Sequence, residues 1–135
     1  MKKIILTLLL IALAIGASAQ QSTKREARKN TVVKEYKQKV GSKNKELEQA
    51  TTYDANGRKI EEVNYFSSGH QQSRTVFEYD EKSGRMTREI DYDDKNHVSR
   101  IRKYEYDAHG NRKAHYVYRP NGKLYSTHTY ETTQQ

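Results

Sequence analysis

Five histidines, one dense acidic turn and eleven tyrosines are the side chains here with chemistry to offer, and the chain has no cysteine. His70, His97 and His109 fall in or beside stretches that read as turns, and His115 and His128 are expected on opposite faces of a sheet. No pair has the H-x-x-x-H spacing that brings two imidazoles onto one metal ion. Asp91-Tyr92-Asp93-Asp94-Lys95-Asn96 looks like the opening of a calcium loop. It has Asn96 where that loop needs glycine, and Arg102 where it needs a bidentate carboxylate. The chain contains no G-x-S-x-G elbow, phosphate loop or cysteine nucleophile. These residues therefore predict a non-enzymatic protein with no metal and no cofactor. Of the tyrosines, Tyr79, Tyr92, Tyr104, Tyr106, Tyr116 and Tyr118 are the candidate ligand-binding residues. A phenol ring can stack on a sugar ring and keep its hydroxyl in water. At this spacing the same rings serve first of all as a packing surface.

The elements that position them follow from the turn residues. Gly41, Gly57, Gly69, Gly84, Asn96, Gly110 and Gly122 recur at intervals of 16, 12, 15, 12, 14 and 12, with Asn96 standing in a glycine slot. Between them lie runs rich in Thr, Val and Tyr. A strand plus a turn, repeated, predicts an all-β chain: an antiparallel meander of about eight strands built from repeated hairpins. The strands are expected at 31–40, 45–53, 58–66, 72–79, 85–93, 98–106, 112–119 and 123–131. The sheet is read as open and twisted, with partial closure left as an alternative. Tyr53, Tyr79 and Tyr106 are spaced 26 and 27, and Tyr65, Tyr92 and Tyr118 are spaced 27 and 26, so the repeat is a hairpin. Alternate turns of a meander lie at opposite ends, which puts the Tyr-Asp turns along one end.

Stepping back by twos from each turn tyrosine predicts one aromatic face. It holds Val63, Tyr65, Phe77, Tyr79, Met86, Ile90, Tyr92, Tyr104, Tyr106, Tyr116, Tyr118, His128 and Tyr130. The opposite face would then be wet, collecting Glu62, Glu78, Glu89, Asp91, Lys103, Glu105, Lys113 and His115.

The segment Tyr104-Glu105-Tyr106-Asp107-Ala108-His109-Gly110-Asn111-Arg112 is the clearest copy of the unit. Phe77 to Arg85 and Tyr53 to Arg58 repeat it less closely. This pattern resembles the YD repeats of bacterial RHS proteins, over roughly residues 45–131. The resemblance implies a β-sheet of hairpins, an exported protein and, in some relatives, a carbohydrate-binding role. Large members wind many repeats into a shell around a toxin, and three hairpins enclose nothing, so that activity is not carried over.

Lys2 and Lys3 precede an apolar run from Ile4 to Ile15 that closes at Ala17-Ser18-Ala19, the pattern of a secretory signal peptide cleaved after Ala19. The run is too short to span a bilayer. No cysteine follows the site, which excludes a lipoprotein. The expected location is periplasmic or secreted, with no transmembrane anchor after processing. Residues 20–30 read as a basic flexible arm and 31–135 as the hairpin-repeat domain. From Gln20 to Ala50 nine Lys or Arg face four Glu, whereas from Thr51 onward fourteen face thirteen. The excess charge thus belongs to the lead-in, and a near-neutral repeat region argues against nucleic-acid binding. Leu, Ile, Val and Phe number only 14 from Gln20 onward, so regular strand pairing must do what a large core does elsewhere. The expected partners are an envelope component, a glycan or a protein. The alternative is an edge-strand interaction or immunity-type protein, including a homo-oligomer through the sheet edges.

Overall fold

The computed structural model describes residues 21–135; the expected signal peptide and its cleavage site lie outside them. A short helix, α1 at 21–27, leads into eight strands: β1 Val32–Lys37, β2 Glu46–Tyr53, β3 Lys59–Tyr65, β4 Gln71–Tyr79, β5 Met86–Tyr92, β6 Val98–Tyr106, β7 Arg112–Tyr118 and β8 Leu124–Thr129. They form one antiparallel sheet in chain order. β1 and β8 do not pair with each other, so the sheet is open and partial closure is ruled out.

The same turn recurs six times. At each one a residue ending the outgoing strand accepts a hydrogen bond from the positive-φ residue three or four places on: Asp54 from Gly57, Phe66 from Gly69, Asp80 from Gly84, Asp93 from Asn96, Asp107 from Gly110 and Arg119 from Gly122. Asn96 takes the left-handed conformation at φ 61°, as its place in the glycine series predicts. Asparagine tolerates it because its short polar side chain bonds locally.

Every pairing also carries one register shift. In β3 to β8 the extra residue is the second of the returning strand: Ile60, Gln72, Thr87, Ser99, Lys113 and Tyr125. Two of these bulges satisfy a neighbouring carbonyl through a hydroxyl, Thr87 Oγ1 donating to Glu78 O at 3.2 Å and Ser99 Oγ to Asp91 O at 3.1 Å. From the first residue of β3, β5 or β7 to its closing tyrosine is six positions, and in β4 and β6 eight. These even counts would keep all the closing tyrosines on one face. One bulge per strand makes each count odd, so the faces alternate.

The single tyrosine face predicted from the sequence is therefore not formed. Cα partners share a face, and the register places Tyr53, Phe77, Tyr79, Met86, Glu89, Asp91, Tyr104, Tyr106 and His115 on one side, here the front. Val63, Val76, Glu78, Ile90, Tyr92, Ile101, Lys103, Glu105, Tyr116 and Tyr118 lie on the back. Acids and tyrosines thus occur on both sides.

The sheet is a single layer. Among the described residues only Ile90 (9% exposed), Ala114 (3%) and Thr51 (6%) are buried, and no large side chain is fully enclosed. A row of back-face partners, Val76, Ile90, Ile101 and Tyr118, crosses the middle strands and is the nearest thing to a core. Cross-strand pairs of this kind contribute roughly 0.2 to 1 kcal/mol each, so cohesion is spread along the ladder.

The basic lead-in makes contacts of its own with the sheet. Arg25 Nε of α1 donates to Asn56 O at 2.9 Å, and the Asn30 amide donates to Asp54 O at 3.0 Å. Arg28 lies over the Tyr53 ring, 5.2 Å from its centre. The lead-in is a docked helical turn, because its arginines find acceptors and a ring at the first Tyr-Asp turn.

Candidate functional site

The register divides the six candidate tyrosines: Tyr79, Tyr104 and Tyr106 are on the front, Tyr92, Tyr116 and Tyr118 on the back. Most are occupied by the protein itself. Arg58 lies 4.8 Å over Tyr79, and the Tyr79 hydroxyl donates to Lys59 O at 2.7 Å. One hairpin later, Arg85 lies 5.7 Å over Tyr106, whose hydroxyl donates to Met86 O at 2.7 Å. Arg112 covers Tyr104, Arg74 covers Tyr92 and Lys103 covers Tyr118. Tyr116 donates its hydroxyl to Glu105 Oε2 at 2.6 Å.

These contacts mark the phenols electrostatically. Burial pushes Tyr79 and Tyr104 above the usual phenol range, with Arg58 and Arg102 pulling the other way. For Tyr116 the cause is the Glu105 carboxylate that accepts its proton. A ring face covered by a cation is a poor platform for a sugar; Tyr79 and Tyr106 tie each hairpin to the one before it, and the contacts of the other four lie within their own hairpins.

The front centre is an ion network. Arg102 contacts Glu89 and reaches Asp91 Oδ2 at 3.0 Å; Arg100 also reaches Asp91 Oδ2, and Thr75 Oγ1 donates to Asp91 Oδ1 at 2.9 Å. Both acids are mostly covered, and the saturated network fixes the middle strands.

His115 and His128 are direct Cα partners on the front, correcting their expected placement on opposite faces. Their rings stack 4.3 Å apart and 8° from parallel, and His115 Nδ1 lies 2.7 Å from the Tyr130 hydroxyl. Burial, His128 and Arg112 together depress the His115 pKa.

A site the sequence reading missed lies between β1 and β4. Glu35, Gln49, Asn64 and Ser73 are successive Cα partners across four strands of the front. Gln49 Nε2 donates to Asn64 Oδ1 at 3.0 Å, and Asn64 Nδ2 to Ser73 Oγ at 3.2 Å. Glu48, Tyr65 and the bulge residue Gln72 line the same open cleft. At Ser73 it adjoins a second cleft lined by Thr75, Asp91, Tyr92, Ser99, Arg100 and Arg102. The joint groove crosses β1 to β6, about 24 Å at ~4.8 Å per strand. Reflecting Gln49 about the first Tyr-Asp turn gives Asn64, and reflecting Asn64 about the next turn gives Ser73, only once the bulge residues Ile60 and Gln72 are counted out.

No family model and no curated protein matches the chain. The YD-repeat likeness rests on its own motif residues.

Proposed function

We propose that this is an exported, non-enzymatic YD-repeat-like sheet protein that binds an envelope component of polyhydroxylated character, a glycan above all, along the front-face groove. The observation that supports it is the row Glu35, Gln49, Asn64 and Ser73. Each amide offers donors and an acceptor, as a sugar hydroxyl requires. The bonds from Gln49 to Asn64 and from Asn64 to Ser73 hold the row in place, which lowers the ordering cost of binding. In this reading the tyrosines build the platform and the amide row makes the contacts.

The test is retention of the processed protein on a glycan array and on envelope extract. Replacing Gln49 and Asn64 by Ala removes two polar contacts of about 0.5 to 1.5 kcal/mol each, and retention should fall by about an order of magnitude or more. Tyr116→Ser, on the back and outside the groove, should leave retention unchanged in folded protein. Undiminished retention by the double variant, or retention that follows ionic strength alone, would sink the assignment.

A further inference from the structure

The two edges of the sheet are built differently. β1 carries Lys34, Glu35 and Lys37, charges that guard an open edge against other strands. β8, Leu124–Thr129, reads LYSTHT and carries no Asp, Glu, Lys or Arg. Leu124 is 54% and Tyr125 64% exposed. Among the described residues β8 is hydrogen-bonded to β7 alone.

The direction of its main-chain groups follows from the register. The Tyr130 amide donates to Lys113 O, and His115 is the Cα partner of His128. In an antiparallel ladder amides alternate. Those of Ser126, His128 and Tyr130 therefore point to β7, and those of Thr127 and Thr129 point away from the sheet; the alternation stops at the bulge residue Tyr125.

We propose that β8 pairs antiparallel with β8 of a second copy, around a two-fold axis at Thr127, to join two sheets into one of sixteen strands. In that register Tyr125 faces the partner's Thr129, Ser126 faces the partner's His128 and Thr127 faces the partner's Thr127. No Asp, Glu, Lys or Arg meets another across the axis. Both outward residues of the regular ladder are used, Thr127 at the axis and Thr129 to either side of it. An axis at Ser126 would pair Thr127 but leave Thr129 beyond the end of the partner's β8.

The second copy fits better than the other occupants. A two-fold pairing keeps like faces together. In its two longest registers β1 would set Lys34 against the partner's Lys34, or Glu35 against the partner's Glu35, and like charges directly opposite are unfavourable. β8 against β1 would leave both outer edges free and grow without closing, whereas the two-fold pair closes. The inference is independent of the groove, which lies at the other side of the sheet.

Sedimentation velocity across a concentration series of the processed protein tests it. Wild type should shift from monomer to dimer and stop there. Thr127→Lys and Thr127→Glu each place like charges at the axis and should weaken association on the order of tenfold or more. An equimolar mixture of the two should recover dimer, which a misfolded variant would not do. Thr127→Pro removes only an outward amide, so circular dichroism should stay wild-type while the dimer is lost. A wild type that stays monomeric or grows into open polymers, or lysine and glutamate variants that dimerise as well as wild type, would overturn the proposal.

Discussion

Asp54, Asp93 and Asp107 each fold a carboxylate back over their own turn. Asp54 Oδ1 accepts from the Asn56 and Arg58 amides, Asp93 Oδ1 from Lys95 and His97, and Asp107 Oδ1 from His109 and Asn111. These bonds hold the acids below their ordinary pKa. A depressed acid contributes stability above its unfolded value, near 3.9, and that part is lost as the pH falls through the folded value. His115 works in a higher window. Its pKa is depressed too, but for a base the unfolded chain then binds the proton first. Stability is full above about 6.5 and declines as the pH falls below it. The midpoint of thermal unfolding should therefore drop between pH 8 and pH 5, and in His115→Gln that drop should be smaller. An identical pH profile in the two proteins would show that the stacked imidazole pair is not under strain from charge.

At the level of elements, the first Tyr-Asp turn serves two neighbours. A Cβ at Gly57 would lie 2.3 Å from the Arg25 carbonyl oxygen of α1, and the residue holds φ 70°. Gly122 holds φ 80° with nothing within 4 Å of the same position. Gly122→Ala should lose only the backbone term of roughly 1 to 2 kcal/mol, whereas Gly57→Ala should lose that and the helix contact as well. Chemical denaturation of both checks it; equal losses would mean that α1 contributes nothing to the fold. The turns and strand limits were legible in the sequence because Gly57, Gly69, Gly84, Asn96, Gly110 and Gly122 sit where only a positive φ closes the loop. The faces were not. The bulge residues Ile60, Gln72, Thr87, Ser99, Lys113 and Tyr125 share no residue type, so nothing in composition marks them, yet each reverses the parity of the strand that follows. For the same reason the six candidate tyrosines do not form one surface. The amide row went unseen because its members look like ordinary wet-face residues until the register aligns them. The docking of α1 was hidden because polar contacts leave no hydrophobic period to read.

At the scale of the molecule, the meander confines each strand to its sequence neighbours, so the protein behaves as a one-dimensional array. Protection from hydrogen exchange should follow position in that array. Amides of β4, β5 and β6 should exchange slowest, and those of β1 fastest, since each opening at an edge frees only one strand. Outward amides of β8 should gain protection with protein concentration if two copies join there. Uniform protection across all eight strands would instead mean that the sheet opens as one unit. The array also has a built beginning. Arg28 over Tyr53 repeats the contact that Arg58 makes with Tyr79 and Arg85 with Tyr106, so the turn after α1 supplies from outside the sheet what each preceding hairpin supplies within it.

That recurring clasp has a consequence for how such a chain can change its length. A hairpin of 26 or 27 residues brings its own tyrosine, its own arginine and an even number of face reversals. Duplication or loss of one whole unit would leave every remaining clasp aligned and would widen or narrow the ribbon by two strands. An insertion of a single strand would turn everything beyond it upside down.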